Sequence, residues 1–220
     1  MQKALVLGSS GGIGRALSKN LSKNHQVTGV SRSDDGLDIT DSVSVDTALS
    51  AAGGPFDLVI VATGALEIDS LRPEKSLRQV SSDGLLAQFS LNALGPALVL
   101  RHAPDLLPRE RRAVFAVLSA RVGSIGDNRL GGWYSYRAAK AAVNQLVRTA
   151  SIEMSRTHKH SVVVALHPGT VATKFTEKYL GRHPAVTPED AAENLVSVIE
   201  GLTPADTGQF FDWSGHRVPW

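Results

Sequence analysis

The sequence contains no cysteine, which excludes disulfide bonds, thiolate nucleophiles and thiolate metal ligands. It lacks an excess of either charge, because 23 lysines and arginines stand against 21 aspartates and glutamates. This near balance argues against a nucleic-acid partner. No apolar run approaches the roughly 20 residues of a membrane-spanning helix, so we expect no membrane partner. The first apolar run, Ala4 to Leu7, is too short for a signal peptide, which predicts a cytoplasmic protein.

Short apolar runs alternate with helix-like segments along the 220 residues, enough for one domain of ordinary size, and we predict that residues 1–220 form it. Each run is apolar throughout, as is typical of strands covered on both faces of a parallel sheet. The pattern predicts an α/β fold: a doubly wound Rossmann-like domain with helices on both faces of a mostly parallel sheet. The predicted strands are Ala4 to Leu7, Gln26 to Val30, Leu58 to Ala62, Ala113 to Leu118, Val162 to Leu166 and Gln209 to Asp212. The predicted helices are Ile13 to Lys23, Val43 to Ala52, Asp83 to Leu106, Tyr136 to Arg156 and Pro188 to Glu200.

A glycine-rich loop follows the first predicted strand and opens the first predicted helix. It reads Gly8-Ser9-Ser10-Gly11-Gly12-Ile13-Gly14-Arg15. Glycines allow a sharp turn and let a pyrophosphate approach the helix N-terminus, where unpaired N–H groups and the helix dipole favour negative charge. Because the loop lies between a strand and a helix, it predicts a dinucleotide-binding site.

The end of the second predicted strand bears on which nicotinamide dinucleotide binds. Ser31 and Arg32 follow this strand, and a serine with an arginine there suits the 2′-phosphate of NADP. Asp34 and Asp35 compete, since Asp34 follows Gly14 by 20 residues, about the distance at which an acidic residue binds the ribose of NAD. Both lie beyond the strand end, where a solvated turn also explains them. We therefore expect NADP(H) in preference to NAD(H).

A tyrosine and a lysine lie four residues apart in a predicted helix, at Tyr136 and Lys140, so their side chains share one helical face. Carbonyl reduction needs a proton for the developing alkoxide, and a phenol with a pKa near 10 is a reluctant donor. A unit charge 4 Å away contributes about 4 kcal/mol at an effective dielectric near 20, roughly three pKa units. We therefore expect Lys140 to lower the pKa of Tyr136. Tyr134 has no such partner, because Ala138 follows it by four residues.

The spacing of Gly8, Gly12 and Gly14 resembles the T-G-x-x-x-G-x-G loop of the short-chain dehydrogenases/reductases, although Leu7 stands in place of the threonine. Tyr136 and Lys140 match the Y-x-x-x-K signature of the same family. The resemblance implies a sheet of about seven strands and hydride transfer between NADP(H) and a small carbonyl or alcohol substrate. It also implies a homodimer or homotetramer that assembles through the predicted helices Asp83 to Leu106 and Tyr136 to Arg156.

The resemblance assigns a role to each member of the catalytic set. Tyr136 would be the general acid/base, and Lys140 would also hydrogen-bond the nicotinamide ribose. Asn92 and Gly95 resemble the family's N-x-x-G segment, in which the asparagine interrupts a helix and anchors a water that relays protons to the lysine. Pro96 supports a helix break there. An ordinary polar residue facing solvent is the alternative explanation of Asn92.

The same resemblance gives a set of cofactor contacts. Asp38 would contact the adenine ring, whereas Asp41 is better suited to N-cap the following helix. The backbone of Val171 and the hydroxyl of Thr173 would hold the nicotinamide carboxamide. The residues expected to bind the cofactor are Gly8, Ser10, Gly12, Ile13, Gly14, Ser31, Arg32, Asp38, Ile39, Ala62, Thr63, Gly64, Tyr136, Lys140, Pro168, Gly169, Val171 and Thr173. We expect no metal ligands.

Two positions depart from the family pattern. The family places a substrate-binding serine three residues before a glycine, and here Ala120 precedes Gly123 by that spacing. Ser119 or Ser124 could substitute, and we prefer Ser119. Loss of an oxyanion donor costs about 3 to 4 kcal/mol in other enzymes, so activity could be slow. Thr63 replaces the asparagine of the usual Asn-Ala-Gly.

Several features leave function partly open. The short chain and the segment Trp133 to Lys140 are similar to the C-factor-like carbonyl reductases. A non-catalytic NADP(H) sensor is the alternative that Ala120 favours, and sugar-nucleotide epimerisation is disfavoured by the lack of room for an extra substrate domain. The substrate pocket is expected along Thr173 to Thr187, where Lys174, Phe175 and Tyr179 do not specify a ligand.

Overall fold

Six parallel strands form a single sheet in the order β2-β1-β3-β4-β5-β6 in the computed structural model of the chain. The structure describes residues 1–173, 176–177 and 185–220. The strands are β1 (Gln2–Leu7), β2 (His25–Val30), β3 (Leu58–Val61), β4 (Ala113–Leu118), β5 (Ser161–His167) and β6 (Phe210–Asp212). The order reverses between β1 and β3, as in doubly wound folds, so the connections leave these strands in opposite directions.

Helices cover both faces of the sheet, as the sequence predicts. They are α1 (Gly12–Leu21), α2 (Arg32–Asp35), α3 (Ser42–Ala52), α4 (Ser82–Phe89), α5 (Gly95–Leu100), α6 (Ala103–Leu106), α7 (Tyr134–Thr157) and α8 (Pro188–Gly201). Successive strand residues point to opposite faces. In β1, Leu5 and Leu7 join the core under α3, α5 and α7, while Ala4 and Val6 join the core under α1 and α8.

The prediction of about seven strands is off by one, because the described residues form six. In a doubly wound sheet a further strand would lie outside β2. The segment between α2 and α3 turns instead, since the Asp38 carboxylate accepts hydrogen bonds from the backbone N–H and the hydroxyl of Thr40. Leu37 and Ile39 are nevertheless buried, so this segment contributes to the core without pairing with β2.

The long helix predicted from Asp83 to Leu106 is divided. A π-helical turn, Ser90–Leu94, separates α4 from α5, and α6 follows as a separate turn. The predicted cap of α3 is confirmed, because the Asp41 side chain accepts from the Val43 N–H. Thr187 caps α8 in the same way by accepting from the Asp190 N–H, ahead of Pro188. Lys174, Phe175 and Tyr179 of the expected substrate pocket lie outside the described residues.

Candidate functional site

The carboxyl ends of the parallel strands form one edge of the sheet, and the sequence-predicted site residues follow these ends. Gly8 follows β1, Ser31 follows β2, Ala62 follows β3 and Ser119 follows β4. Pro168 follows β5. This edge beside the reversal of strand order is where open α/β sheets bind ligands.

The glycine loop packs without room for side chains. Gly8 has a φ of 85°, and a Cβ there would lie 2.9 Å from the Ala62 carbonyl oxygen. A Cβ at Gly12 would lie 2.7 Å from Cγ2 of Thr173, and one at Gly14 would collide with the Gly8 carbonyl. The loop therefore brings together the segments that follow β1, β3 and β5. At these glycines the backbone lies where a side chain would otherwise be.

Two observations show that these residues fit a phosphate-bearing dinucleotide. Within the described ranges, no side chain caps the first turn of α1, which begins after Gly11 and carries no acidic residue; its N–H groups can therefore meet a phosphate. The buried hydroxyl of Thr63 has no hydrogen-bond partner among the described residues. A buried unpaired hydroxyl is costly, and a bound polar ligand would satisfy it. Arg15 donates to the Ser10 carbonyl and steadies the loop.

The end of β2 carries both candidate determinants of cofactor choice. Arg32 is exposed and begins α2, while the buried Ser31 caps this helix by accepting from the Asp34 N–H. The Asp35 carboxylate folds back and accepts the Ser31 N–H at 2.7 Å. Asp34 and Asp35 thus belong to a one-turn helix, Arg32–Asp35, that directly follows β2.

The Asp38 side chain is exposed, and its pKa is lowered by its hydrogen bonds with Thr40. Ile39 is buried against α5, where a Cβ at Gly95 would lie 2.9 Å from Cγ2 of Ile39. The two residues predicted for the adenine end therefore flank the edge of the sheet beside β2.

Tyr136 and Lys140 lie in the first two turns of α7, 5% and 4% exposed. The Lys140 Nζ donates to the Leu118 carbonyl at 3.0 Å and lies 5.8 Å from the centre of the Tyr136 ring. Burial lowers the pKa of Lys140 to about 8. Burial also raises the pKa of Tyr136, contrary to the predicted lowering by Lys140, because removing the phenolate from water outweighs the ammonium in this arrangement.

Asn92 is buried within the π-helical turn, so the alternative of a solvent-facing residue is wrong. Its Nδ2 donates to the Ala65 carbonyl and to Oε1 of Gln88, and its Oδ1 accepts from the Ala65 N–H. Gly64 packs between Asn92 and Lys140, since a Cβ there would lie 2.6 Å from the Asn92 Oδ1 and 3.5 Å from the Lys140 Nζ. The three predicted residues are thus neighbours.

The serines proposed to replace the missing hydroxyl both have other partners. Ser119 is buried and donates from Oγ to the Asn144 Oδ1 at 2.6 Å. Ser124 donates to the Pro219 carbonyl and accepts from the Asp127 N–H. Ala120 is extended and partly exposed. A substrate role for Ser119 stays a prediction that requires its hydroxyl to exchange Asn144 for substrate.

The segment after β5 closes the edge of the sheet. Gly169 has a φ of 81° and contacts Trp213, while Val171 is buried and Thr173 partly buried against the glycine loop. His167, at the end of β5, is partly buried, and the removal of its ring from water lowers its pKa to about 4. It is therefore neutral near pH 7.

The sequence analysis missed four residues around Tyr136 and Lys140. Asn144 accepts a hydrogen bond from Ser119, Gln88 accepts one from Asn92, Glu74 accepts from Ser135 at the start of α7, and Trp133 lies edge-on to Tyr136 with ring centres 6.3 Å apart. Helical spacing offered a signal for two of them, because Asn144 follows Lys140 by four residues and Gln88 precedes Asn92 by four. Glu74 carried no local signal, because it lies 61 residues before Ser135.

Within residues 1–173, 176–177 and 185–220, no group of three or more His, Asp or Glu side chains could hold a metal ion. Among the helices of this part, none is long and apolar enough to cross a bilayer.

Comparison with known proteins identifies relatives over the full length. Residues 11–209 match the family model described as Enoyl-(Acyl carrier protein) reductase. The chain is 31% identical over 236 residues, covering 100% of both chains, to 1-hydroxy-2-glutathionyl-2-methyl-3-butene dehydrogenase of Rhodococcus sp. strain AD45. It is 34% identical over 177 residues to the C-signal protein of Myxococcus xanthus, covering 79% of this chain and 98% of that one.

A solved structure shares the fold. The NADPH-bound carbonyl reductase from chicken fatty liver matches with a TM-score of 0.78 at 23% identity, covering 100% of this chain and 94% of the other. The strand order, the glycine loop and the family match over most of the chain agree with one another. This protein belongs to the short-chain dehydrogenase/reductase family of oxidoreductases.

Proposed function

We propose that this protein is an NADP(H)-dependent oxidoreductase that interconverts a small carbonyl compound and its alcohol, with Tyr136 as the general acid/base. The observation that carries the proposal is the shared location of its parts. Tyr136 and Lys140 are buried in the first turns of α7, and the Lys140 Nζ lies beside Gly64 at the same sheet edge as the glycine loop.

The proton-transfer machinery follows from these positions. Tyr136 holds its proton because burial raises its pKa, so it is available as a donor when an alkoxide develops. The Lys140 ammonium carries three N–H donors, one of which binds the Leu118 carbonyl. The other two can stabilise the phenolate left behind and hydrogen-bond a ribose. Asn92 and the Lys140 Nζ both lie beside Gly64.

When NADPH is bound, its nicotinamide supplies the hydride for reduction. The residues of this chain that would hold NADPH are the glycine loop, with Gly8, Ser10, Gly12, Ile13 and Gly14 around the phosphates. Ser31 and Arg32 would take the ribose phosphate, and Asp38 and Ile39 the adenine. Ala62, Thr63 and Gly64 would line the middle of the site, and Pro168, Gly169, Val171 and Thr173 the nicotinamide.

The preference for NADP(H) over NAD(H) is supported by the exposed guanidinium of Arg32 at the end of β2 and by the NADPH in the structural relative. We expect kcat/KM for NADPH to exceed that for NADH. Arg32→Glu should lower kcat/KM for NADPH at least about tenfold, because it replaces a charge-assisted hydrogen bond with repulsion. Arg78→Glu, a change at an exposed arginine distant in sequence, is the control. A wild-type preference for NADH would contradict the proposal.

The substrate test is a panel of aldehydes, ketones and alcohols assayed by absorbance of the reduced cofactor. Since one relative is named for a glutathione-conjugated alcohol, the panel includes such conjugates in the oxidation direction. We expect stereospecific turnover of at least one member, with deuterium transferred from labelled NADPH to the carbonyl carbon. Consumption of NADPH without labelled alcohol would contradict reduction.

A second candidate is a non-catalytic NADP(H) sensor. It is favoured by Ala120 and by the occupation of both neighbouring serine hydroxyls. Tight NADPH binding measured by calorimetry, without turnover across the panel, would select the sensor. Measurable turnover that depends on Tyr136 would select the enzyme.

The assembly and compartment are part of the same proposal. Exposed apolar side chains on α4 and α7, Leu86, Phe89, Leu146 and Ile152, support self-association as a homodimer or homotetramer. The cytoplasm stays our prediction for its location.

A further inference from the structure

Helix α7 begins without a cap from its N-cap residue, because the Trp133 side chain makes no capping hydrogen bond. The first N–H groups of a helix have no partner within the helix and require acceptors when they are buried. Glu74, 61 residues before Ser135, supplies an acceptor for one of them. Its Oε2 accepts the Ser135 N–H at 3.2 Å, and its Oε1 accepts the Ser135 hydroxyl.

The backbone at Glu74 makes a second connection to the start of α7. The Trp133 N–H donates to the Glu74 carbonyl at 2.6 Å. Trp133 has a φ of 52°, a left-handed conformation that non-glycine residues seldom adopt, and Gly131 and Gly132 before it also have positive φ. A strained entry of this kind persists only where its surroundings fix it. Glu74 holds both Trp133 and Ser135.

The contacts of Glu74 with Trp133 and Ser135 bear on Tyr136, because Tyr136 directly follows Ser135. Glu74 is 7% exposed and lines the same cavity as Tyr136, together with Gln88 and Gly84. Gly84 of α4 lies beside both groups, since a Cβ there would lie at ordinary contact distance, 3.7 Å, from the Glu74 Oε1 and from the Ser135 Oγ. A buried carboxylate is costly unless it is hydrogen-bonded, so both Ser135 contacts matter.

We propose that Glu74 is a positioning residue for the reaction: through Ser135 it fixes the first turn of α7 and thereby the direction of the Tyr136 hydroxyl. This inference rests on the proposed function, in which Tyr136 transfers the proton. Glu74 itself need not touch substrate. Its contacts lie on the backbone and hydroxyl of the preceding residue, and a displacement of about 1 Å at a reacting group can cost a hundredfold in rate.

The test compares Glu74→Ala, Glu74→Gln, Ser135→Ala and the double variant Glu74→Ala/Ser135→Ala in the full chain. The control is Asp57→Asn. Asp57 also accepts a backbone N–H and a side-chain donor, from Lys3 and Arg111, but at the amino end of β3. Turnover is expressed per NADPH-binding site, so loss of folded protein does not count as loss of rate. Hydrogen exchange of residues 134–137 is measured in each variant.

We expect Glu74→Ala to lower kcat per binding site about a hundredfold, with the Kd for NADPH changed less than about twofold. Glu74→Gln keeps one acceptor and should lose less. The Ser135 change should add nothing in the Glu74→Ala background, because residues that act through one contact are not additive. Exchange of residues 134–137 should accelerate in the Glu74 variants and stay unchanged in the control.

Three results would overturn the proposal. One is kcat per site within about twofold of wild type in both Glu74 variants. Another is fully additive losses from Glu74 and Ser135. The third is a rise in KM for one substrate class at unchanged kcat, which would mean that Glu74 binds substrate. If Glu74→Ala does not fold, the kcat values of Glu74→Gln and Ser135→Ala decide whether the proposal stands. If the wild type turns over nothing, the proposed function fails, and hydrogen exchange alone decides whether Glu74 fixes the turn.

Discussion

Position 120 illustrates what a single missing hydroxyl does to the site. The spacing to Gly123 identified Ala120 as the position of the absent serine, and the structure shows that Ser119 and Ser124 donate to Asn144 and Pro219. Ser119 is the first residue after β4, and its hydroxyl is already donated to Asn144. A substrate role for Ser119 therefore stays a prediction that requires its hydroxyl to leave Asn144.

Restoring the hydroxyl should raise activity. In Ala120→Ser we expect kcat/KM for carbonyl reduction to rise at least about tenfold, part of the 3 to 4 kcal/mol that one oxyanion donor contributes elsewhere. Ala120→Cys is the control, since a thiol is a weak donor. Steady-state kinetics measures both. Equal or lower activity in the serine variant would mean that another group already fills this role.

Burial of Lys140 should appear in the pH dependence of stability. Its pKa is about 8 in the folded chain and about 10.4 in an unfolded one. Between these values the unfolded chain binds more protons, so the free energy of unfolding rises with pH, by roughly 3 kcal/mol at most. Above pH 10 the raised pKa of Tyr136 acts oppositely, because the unfolded chain then loses its proton first.

Urea unfolding at several pH values from about 7 to 10 measures this contribution. Lys140→Met should be more stable than wild type near pH 7, and the difference should shrink toward pH 10. Lys75→Met, at an exposed lysine, is the control. Parallel stability curves for wild type and Lys140→Met would contradict the assignment of a low lysine pKa.

The sequence predicted individual site residues where a local spacing of residues marks them. Tyr136, Lys140 and Asn92 could be located from the sequence because helical spacing and a glycine break are local features. The raised pKa of Tyr136 could not, because desolvation depends on how the rest of the chain packs around the phenol. Glu74 was invisible for the same reason.

At the scale of elements, the junction between β4 and α7 brings Lys140 to the sheet edge. Gly123 follows β4 in a 3₁₀ turn, and a Cβ there would lie 2.7 Å from Cβ of Lys140 and 2.8 Å from its carbonyl carbon. The contact is with backbone, which cannot yield easily. The close approach of these two elements therefore depends on this glycine.

Gly123→Ala should push α7 away from β4. We expect a loss of about 1 to 3 kcal/mol in the free energy of unfolding, typical of overpacking, together with a lower kcat. Gly201→Ala in α8, where a Cβ would meet nothing within 4 Å, should instead be neutral or slightly stabilising. Chemical denaturation of both variants gives the comparison. Equal stabilities would contradict close packing at Gly123.

The same scale shows where element prediction failed. Strands buried on both faces were found from their apolar runs. The split of the long helix at Ser90–Leu94 was anticipated only as a break near Gly95, because a π turn depends on tertiary contacts such as those of Asn92. The missing edge strand reflects a competing local contact, the Asp38 carboxylate on Thr40.

For the whole molecule, the alternation of apolar runs with helix-like segments was enough to predict a doubly wound sheet. A strand that is apolar throughout needs cover on both faces, and helices on both sides of a parallel sheet provide it. Association with other copies is a property that this pattern does not encode. Exposed Leu86 and Phe89 lie three residues apart on α4, and Leu146 is exposed on α7. Such side chains favour an interface that excludes water.

Light scattering should therefore give a mass of two or four times 23.3 kDa. Phe89→Glu should dissociate the assembly, since it buries a charge at the interface. Val43→Glu, at an exposed residue of α3, should leave the mass unchanged. A wild-type mass of 23.3 kDa at micromolar concentration would contradict self-association.

The central claim is that the Tyr136 hydroxyl transfers the proton during hydride transfer. The measurement that tests it most directly is kcat of Tyr136→Phe on the best carbonyl substrate, beside Tyr134→Phe, which alters the exposed tyrosine two residues earlier. The account predicts a loss of at least about a thousandfold for Tyr136→Phe, within the range of general acid–base catalysis, and wild-type activity for Tyr134→Phe. Turnover by Tyr136→Phe within tenfold of wild type would contradict it.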